Sequence, residues 1–287
     1  MFSIRIALLC VFSLFAFACS KNEPVKYAIV YGISQYPYMG FELPYSANDA
    51  TSVSKLRIIN DQDLLLFYFS GHGLSKQTML EVTDSIVDDD YFSMLLYHDY
   101  SYNSLVEYIN DNSLSNKKLA QLFYTLPYGI KIGVIDACYS GHMIADQSVI
   151  DYIPDNYDGT MIQKKDFGTI FHDAVNNFHS LKNKGSRIGY TLLTSCGRNE
   201  MSWDGFFSHS VFTYFFLMSA EQGDLNKDGV ITALESYCYI YAAFQKYWNT
   251  PKQDSDWNFL PRITGGAEDI IIFEHPTIIN SAILNSQ

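Results

Sequence analysis

Apolar and polar positions along this chain form runs of two kinds. Continuous apolar runs of strand length, Leu64 to Ser70 and Lys131 to Ala137 above all, have no polar face. Such runs belong to strands buried on both sides of a sheet. Lys26 to Ile33, Gly189 to Ser195 and Asp269 to Phe273 are further strand candidates. Segments with helical spacing lie near Asn48 to Ile58, Ser115 to Tyr124, Ser210 to Gln222 and Ala233 to Trp248. Strands alternating with helices predict an α/β fold on a mostly parallel sheet flanked by helices, joined by right-handed crossovers. Ser115 to Leu126 is the crossover that brings the second long apolar run beside the first.

Both long runs stop at small residues around a reactive side chain. The first ends in Ser70-Gly71-His72-Gly73 and the second in Asp136-Ala137-Cys138-Tyr139-Ser140-Gly141. Open α/β sheets gather their chemistry just beyond the carboxyl ends of parallel strands, which places His72 and Cys138 together. An imidazole near a thiol can take its proton or stabilise the thiolate, and the glycines let substrate backbone come close. Taken singly, either residue reads as an interior histidine or an inert thiol; the paired contexts favour a Cys-His dyad. His98, His142 and His209 have no comparable context.

These two motifs, with Leu43-Pro44-Tyr45-Ser46-Ala47-Asn48-Asp49-Ala50 upstream, resemble the caspase-like cysteine peptidases of clan CD, in particular the metacaspase and bacterial caspase-family branch. The resemblance runs from about Tyr27 to Phe273. It implies a caspase-like three-layer sandwich, nucleophilic attack by Cys138, proton transfers by His72, and an oxyanion held by the N–H groups of Gly73 and Cys138. It also implies that Asp49 and Asp136, with Ser46 and Ser70, line the first specificity pocket. Two acids in a partly buried pocket repel each other and favour a bound guanidinium or ammonium. Cleavage after Arg or Lys is the implied activity, and a pocket for Asp would need basic residues instead. Asp49 has a plainer reading too, as a cap at the start of a helix. The family usually inserts a helix, a strand and a helix before the histidine strand. Here only Thr51 to Gln62 is available, so one edge strand is expected to be missing.

Charge and cysteine usage narrow the partners. The 287 residues carry a formal net charge of -12 without a basic cluster, which argues against nucleic acid. With 48% apolar and 17% charged residues, the chain has enough apolar surface for a sizeable core. The 22 Tyr and 20 Phe form no stripe that defines a sugar or lipid site, and core packing explains them. Of five cysteines, Cys10 and Cys19 lie in the leader region, and Cys196 and Cys238 read as small buried hydrophobes, so no disulfide framework is expected. Arg5 followed by the apolar run Ile6 to Ala18 has the layout of a secretory signal and is short for a membrane span. Ala16-Phe17-Ala18-Cys19 resembles a bacterial lipobox, with Ala16 in place of the usual Leu. The expected organisation is a signal peptide over 1–18, a lipidated linker over 19–25, a peptidase domain over 26–275 and a tail over 276–287. A lipid on Cys19 makes the protein an envelope lipoprotein, periplasmic or surface-exposed; without it the protein is secreted. The polar stretch His142 to Arg187 reads as an exposed linker with a short helix around Thr169 to Phe178, and Lys164, Lys165, Lys182, Lys184 and Arg187 offer basic cleavage positions.

One more motif stands apart. Asp224-Leu225-Asn226-Lys227-Asp228-Gly229-Val230-Ile231-Thr232-Ala233-Leu234-Glu235 matches the EF-hand loop throughout. Asp224, Asn226 and Asp228 supply oxygens at alternate residues, Gly229 the turn, Val230 a carbonyl, Thr232 the next position and Glu235 two oxygens for calcium. Flanking helical segments complete the pattern. The bland alternative is a helix-helix turn, which seldom reproduces every ligand position. Asp88-Asp89-Asp90 reads first as a solvated loop.

The sequence therefore predicts an exported, calcium-associated cysteine endopeptidase acting on peptides or proteins after basic residues. Two rivals keep other parts of the picture: a non-catalytic caspase-like binding module at the envelope, and a calcium-dependent structural or adhesion protein. Nothing in the sequence fixes an oligomeric state.

Overall fold

The computed structural model describes residues 25–36, 42–58, 63–75, 92–95, 105–126, 130–143, 149–150, 191–249, 257–264 and 270–274. The expected signal segment, Cys19, the linker helix around Thr169 to Phe178, its basic cleavage positions, Asp88-Asp89-Asp90, His98 and the tail over 276–287 lie outside them. In chain order the strands are β1 (Lys26–Gly32), β2 (Leu64–Ser70), β3 (Gly73–Ser75), β4 (Phe92–Leu95), β5 (Ser113–Ser115), β6 (Ile130–Asp136), β7 (Val149–Ile150), β8 (Thr191–Thr194), β9 (Asp204–Phe206), β10 (His209–Ser210), β11 (Val230–Thr232), β12 (Arg262–Thr264) and β13 (Ile271–Glu274). The helices are α1 (Ser46–Val53), α2 (Leu105–Asn112), α3 (Asn116–Thr125), α4 (Val211–Gln222) and α5 (Ala233–Phe244).

Six strands form the main sheet in the order β1-β2-β6-β8-β12-β7. The first four are parallel to their neighbours, and β12 runs antiparallel to both β8 and β7. All seven residues of β2 are buried, as a central strand with two covered faces requires. Because side chains alternate across a strand, β2 feeds two cores at once. Leu64, Leu66 and Tyr68 pack with Ile132, Val134, Phe212, Phe216 and Ile240, on the face covered by α4 and α5. Leu65, Phe67 and Phe69 pack with Ile135, Leu119 and Phe123, on the face covered by α3. Each such side chain, fully buried, contributes about 1.5–3 kcal/mol of transfer free energy. The result is the three-layer α/β sandwich expected of the caspase-like fold.

Three helices start on side-chain caps. Ser115 accepts from Lys118 N–H, Ser210 from Thr213 N–H, and Thr232 forms a reciprocal capping box with Glu235. Several boundaries differ from expectation. Helix α1 ends at Val53 rather than Ile58, because Ile58 is drawn into a bridge with Phe273. Helix α5 gives way after Phe244 to a wider turn over Gln245–Asn249, where the side-chain amide of Asn249 donates to the Phe259 carbonyl. The Asp269 to Phe273 candidate does form a strand, β13, but it pairs antiparallel with β11 in a separate ribbon. Among the described residues β1 pairs with β2 alone and is an edge of the main sheet, in keeping with the missing edge strand. Val25, Tyr27 and Tyr31 are accordingly exposed there. A small sheet, β3-β4-β5, continues from the histidine strand.

Candidate active site

Strands β2 and β6 are neighbours in register, with Ser70 opposite Asp136. Each chain leaves the sheet at the same level, and Gly71 N–H donates to the Asp136 carbonyl at 3.1 Å. His72 and Cys138 therefore emerge side by side and line one cleft with Leu43, Ser202, Trp203 and Asp204. Gly71 is required by crowding, since a Cβ there would lie 2.3 Å from the Tyr36 hydroxyl. That hydroxyl accepts from His72 N–H at 2.9 Å, and the Tyr36 ring lies against the imidazole with centroids 4.4 Å apart. Tyr36 thus orients His72 from a loop the sequence does not mark. Burial raises the Tyr36 phenol far above its ordinary value, so it stays protonated. Beyond His72, its carbonyl accepts from Leu95 N–H. Hydrogen-bonded pairs alternate along an antiparallel ladder, so Gly73 and Met94 are the next, non-bonded pair and Gly73 N–H is directed away from β4.

Cys138 sits in a tight turn. Tyr139 adopts φ 60°, a left-handed conformation uncommon outside glycine. It is held by Tyr139 N–H donating to the Glu200 carbonyl at 2.9 Å, while Ala137 N–H donates to Ser195 Oγ at 3.2 Å. The Glu200 carboxylate in turn accepts from Gly197 N–H (2.8 Å), Leu260 N–H (3.0 Å) and the Arg262 guanidinium (3.3 Å). At Gly141 a Cβ would come within 2.6 Å of the Arg198 backbone nitrogen, so only glycine permits this packing. The Cys138 thiol points at the Ser202 carbonyl at 3.5 Å. Burial, with the Asp136 charge adding to it, pushes the thiol up, and the resting group is protonated at neutral pH. Cys196 and Cys238 are buried free thiols, as expected.

The predicted specificity residues converge. Asp136 lines the cleft with Ser46 and Ser70, and Asp49 lies directly behind, fully buried. Ser70 Oγ donates to Asp49 Oδ2 at 2.8 Å. Asp136 accepts from Ser202 Oγ at 2.8 Å, from Thr213 N–H and Oγ at 3.2 and 2.6 Å, and from Ser210 Oγ. The two carboxylates are buried and repel each other. Burial first, then the Asp136 charge, raises Asp49 to about 8, and burial raises Asp136 against the hydrogen bonds it accepts. The sequence reading missed two neighbours. Asp204 contributes a third carboxyl group to the lining, with Oδ1 buried and without a hydrogen-bond partner and Oδ2 accepting from Tyr45 N–H at 3.3 Å. His209 Nδ1 lies 2.9 Å from Asp49 Oδ1. Asp204 stands in Ser202-Trp203-Asp204-Gly205, which reads as an ordinary turn, and only its place downstream of the apolar run that Cys196 ends hints at the site.

The loop over 224–235 joins α4 to α5. Its side chains serve the loop's own backbone: Asp224 accepts from Asp228 and Gly229 N–H, Asn226 Oδ1 from Asp228 N–H, and Asp228 Oδ1 from Val230 N–H. Glu235 accepts from Asn226 and Thr232 N–H. Among the described residues no group of three or more His, Cys, Asp or Glu side chains is placed to hold a metal ion. Gly229, at φ 90°, makes the turn expected of it. No helix among the described residues is long and apolar enough to cross a membrane.

A family model described as the caspase domain matches residues 58–234. Solved structures similar to the chain include a protein from Geobacter sulfurreducens, at 14% identity over 88% of this chain and 98% of the other, with a TM-score of 0.44. Another is caspase-1 from Spodoptera frugiperda, at 12% identity over 89% and 92%, with a TM-score of 0.47. No curated protein matches the chain. The match over residues 58–234 covers more than half of the sequence and takes in both the His72 and the Cys138 motifs, and the chain belongs to the caspase-domain family of cysteine peptidases.

Proposed function

We propose that this protein is an exported cysteine endopeptidase that cleaves after Arg or Lys, with Cys138 as nucleophile and His72 as proton carrier. The observation that carries the specificity is the acidity of the cleft: Asp136 and Asp204 line it, Asp49 backs it, and among the described residues no lysine or arginine lines it. A substrate guanidinium or ammonium entering there ionises carboxyl groups that burial otherwise holds protonated. An aspartate side chain would add a further negative charge to the same space.

In this reading Cys138 sulfur attacks the carbonyl carbon of that basic residue, and the thiol proton passes to His72. The oxyanion is met by the N–H groups of Gly73 and Cys138, a contact typically worth about 2.7–4 kcal/mol in the transition state. Collapse of the tetrahedral adduct breaks the C–N bond, His72 gives its proton to the leaving amine, and water hydrolyses the thioester. The hydrogen bond from His72 N–H to the Tyr36 hydroxyl and the contact between the two rings hold the histidine in place throughout.

Calcium at the 224–235 loop is part of the proposal. The support is the complete ligand sequence, the turn at Gly229, the helices on both sides and the position of β11, which in an EF-hand carries the seventh-position carbonyl. An unpaired loop of this kind has a Kd of roughly 0.1–1 mM. Export rests on the leader sequence and Cys19, and mass spectrometry of the mature amino terminus tests it by finding lipid on Cys19 or a different processed end.

The experiment that decides the activity uses residues 20–287 with fluorogenic peptides ending in Arg, Lys or Asp, beside Cys138→Ala. Hydrolysis of the Arg and Lys peptides that is lost in the variant is the expected result. Folded protein without Cys138-dependent turnover would favour the non-catalytic binding module.

A further inference from the structure

His209 stands at the rear of the acidic cleft, where the reaction itself has no use for it. Its Nδ1 lies 2.9 Å from Asp49 Oδ1, and its side chain is 18% exposed. The position is fixed from two sides. Phe207 and Ser208, the two loop residues between β9 and β10, adopt φ 48° and 66°. A two-residue loop of this kind normally takes Asn or Gly, so these left-handed residues persist only because their surroundings enforce them. Phe207 is held against Tyr214, with ring centroids 5.2 Å apart, and Asn48 Nδ2 donates to the Ser208 carbonyl at 3.4 Å. The next residue, Ser210, donates its N–H to Asp49 and its hydroxyl to Asp136. One short segment thus touches both buried carboxylates and places an imidazole on one of them.

We propose that His209 is a positioning residue for the cleft: it orients Asp49 and, through its own protonation, sets the negative charge offered to a substrate's basic side chain. The inference rests on the reading of the cleft as a cation pocket and names how that pocket is regulated. The charged groups facing the imidazole are few. Helix α1 supplies Asp49, β9 supplies Asp204, β6 supplies Asp136 through Ser210, and α4 has no charged residue before Glu221 in its last turn. No cation from these elements competes with His209. Burial holds the imidazole below its ordinary value and raises Asp49 to about 8, so at neutral pH an uncharged imidazole faces a protonated carboxyl group, and Nδ1–H donates to the carboxylate once a substrate cation has ionised it. On acidification the imidazole takes a proton as well, and this proton, like the one on Asp49, must leave before a substrate cation can hold the Asp49 charge alone. A substrate cation and that proton then exclude each other, because each weakens the other's binding by the same factor.

The test is binding rather than turnover, measured calorimetrically on full-length mature protein carrying Cys138→Ala. The probes are benzoyl-arginine amide and its uncharged isostere, benzoyl-citrulline amide. From about pH 7.5 to about pH 5.5 the affinity for the arginine probe is expected to fall about tenfold further with His209 present than in His209→Gln, which keeps an amide donor but takes no proton. His209→Arg, a fixed cation on Asp49, is expected to weaken the arginine probe by about tenfold or more at neutral pH while leaving the citrulline probe unchanged. Equal pH slopes for His209 and His209→Gln, with a clear preference for arginine over citrulline, overturn the role of His209 and leave the cation pocket standing. No preference for arginine in any protein, at any pH, overturns the pocket and this inference together. If His209→Arg does not fold, the slope comparison with His209→Gln decides.

Discussion

Asp49 and Asp136 approach the cleft from different elements and are tied together by one residue, Ser210, whose N–H donates to Asp49 at 3.1 Å and whose hydroxyl donates to Asp136. Ser210 is also the N-cap of α4. The proposed specificity site is thereby built on a helix start, where Thr213 N–H points at Asp136 and a negative charge is favourable. Burial outweighs that help, and both acids lie above their ordinary range. Protein stability and the proposed cation binding are therefore drawn from the same pair of groups.

The pH dependence of stability follows from Asp49. In the unfolded chain it loses its proton near 3.8, and in the folded chain it holds it to about 8. Between these values the folded state binds more protons, so the stability from this group is full below the lower value and is lost as pH rises through the upper one. Asp49→Asn removes the effect. Its melting temperature is expected to gain on the wild type between about pH 5 and about pH 8, at ~2–4 °C for each ~1 kcal/mol in a domain of this size. Thermal scans of both proteins across that range check it, and parallel curves would contradict the assignment. The same variant is expected to lose most cleavage after Arg.

Tyr36→Phe separates orientation from packing. The ring contact with His72 stays, but His72 N–H loses its acceptor at 2.9 Å, a cost of ~1 kcal/mol in stability. Because the imidazole is then less well held, kcat is expected to fall about tenfold with KM nearly unchanged. Tyr36→Ala removes the buried ring as well and is expected to cost ~3–5 kcal/mol of stability. Steady-state kinetics with an Arg-terminated peptide, beside urea unfolding, distinguish the two.

Much of this arrangement was open to sequence reasoning, and the reason is local. A strand covered on both faces must be apolar throughout, so β2 and β6 announce themselves, and the residues where they stop, His72 and Cys138, are marked by the same break. Helix caps are equally local: Ser115, Ser210 and Thr232 each sit where a helical pattern begins. Tyr36, Asp204, His209 and the Glu200–Arg262 pair were not legible, because their roles come from contacts across 36, 160 and 62 positions of sequence in the cases of Tyr36–His72, His209–Asp49 and Glu200–Arg262. The β3-β4-β5 sheet was hidden for another reason. Strands of three or four residues are too short to show a period.

The Glu200–Arg262 pair braces the turn that carries Cys138. Its guanidinium also donates to the Leu260 and Pro261 carbonyls, and its side chain is 8% exposed against 30% for Glu200. Glu200→Ala leaves two backbone N–H groups and one arginine without their carboxylate, a loss of ~2–4 kcal/mol after allowing for partial exposure. The left-handed Tyr139 then has a looser anchor, and kcat is expected to fall more than KM changes. Tyr139→Gly, which adopts this backbone without a Cβ clash, is expected to restore part of the lost rate in the Glu200→Ala protein. Chemical denaturation and kinetics of the single and double variants provide the comparison.

Helix α4 joins the cleft to the proposed calcium loop: Ser210 and Thr213 at its start hold Asp136, and Asp224 follows its end. Ser219 on α4 and Ser236 on α5 are hydrogen-bonded at 2.6 Å, so a cation that tightens the loop acts on both helices. For a Kd of ~1 mM, calcium at ~10 mM stabilises the folded state by ~1.4 kcal/mol. That corresponds to a rise of ~3–6 °C in melting temperature over protein in chelator. Glu235→Gln keeps an oxygen for Thr232 N–H, which Glu235 now accepts at 2.9 Å, so the start of α5 is retained while the bidentate carboxylate is lost. The variant is expected to melt close to the wild type in chelator and to show no rise with calcium. If the helix transmits binding to Asp136, chelation is also expected to raise KM for Arg-terminated peptides about threefold with kcat unchanged, a coupling of under ~1 kcal/mol. A calcium-dependent rise that persists in Glu235→Gln would move the cation away from this loop.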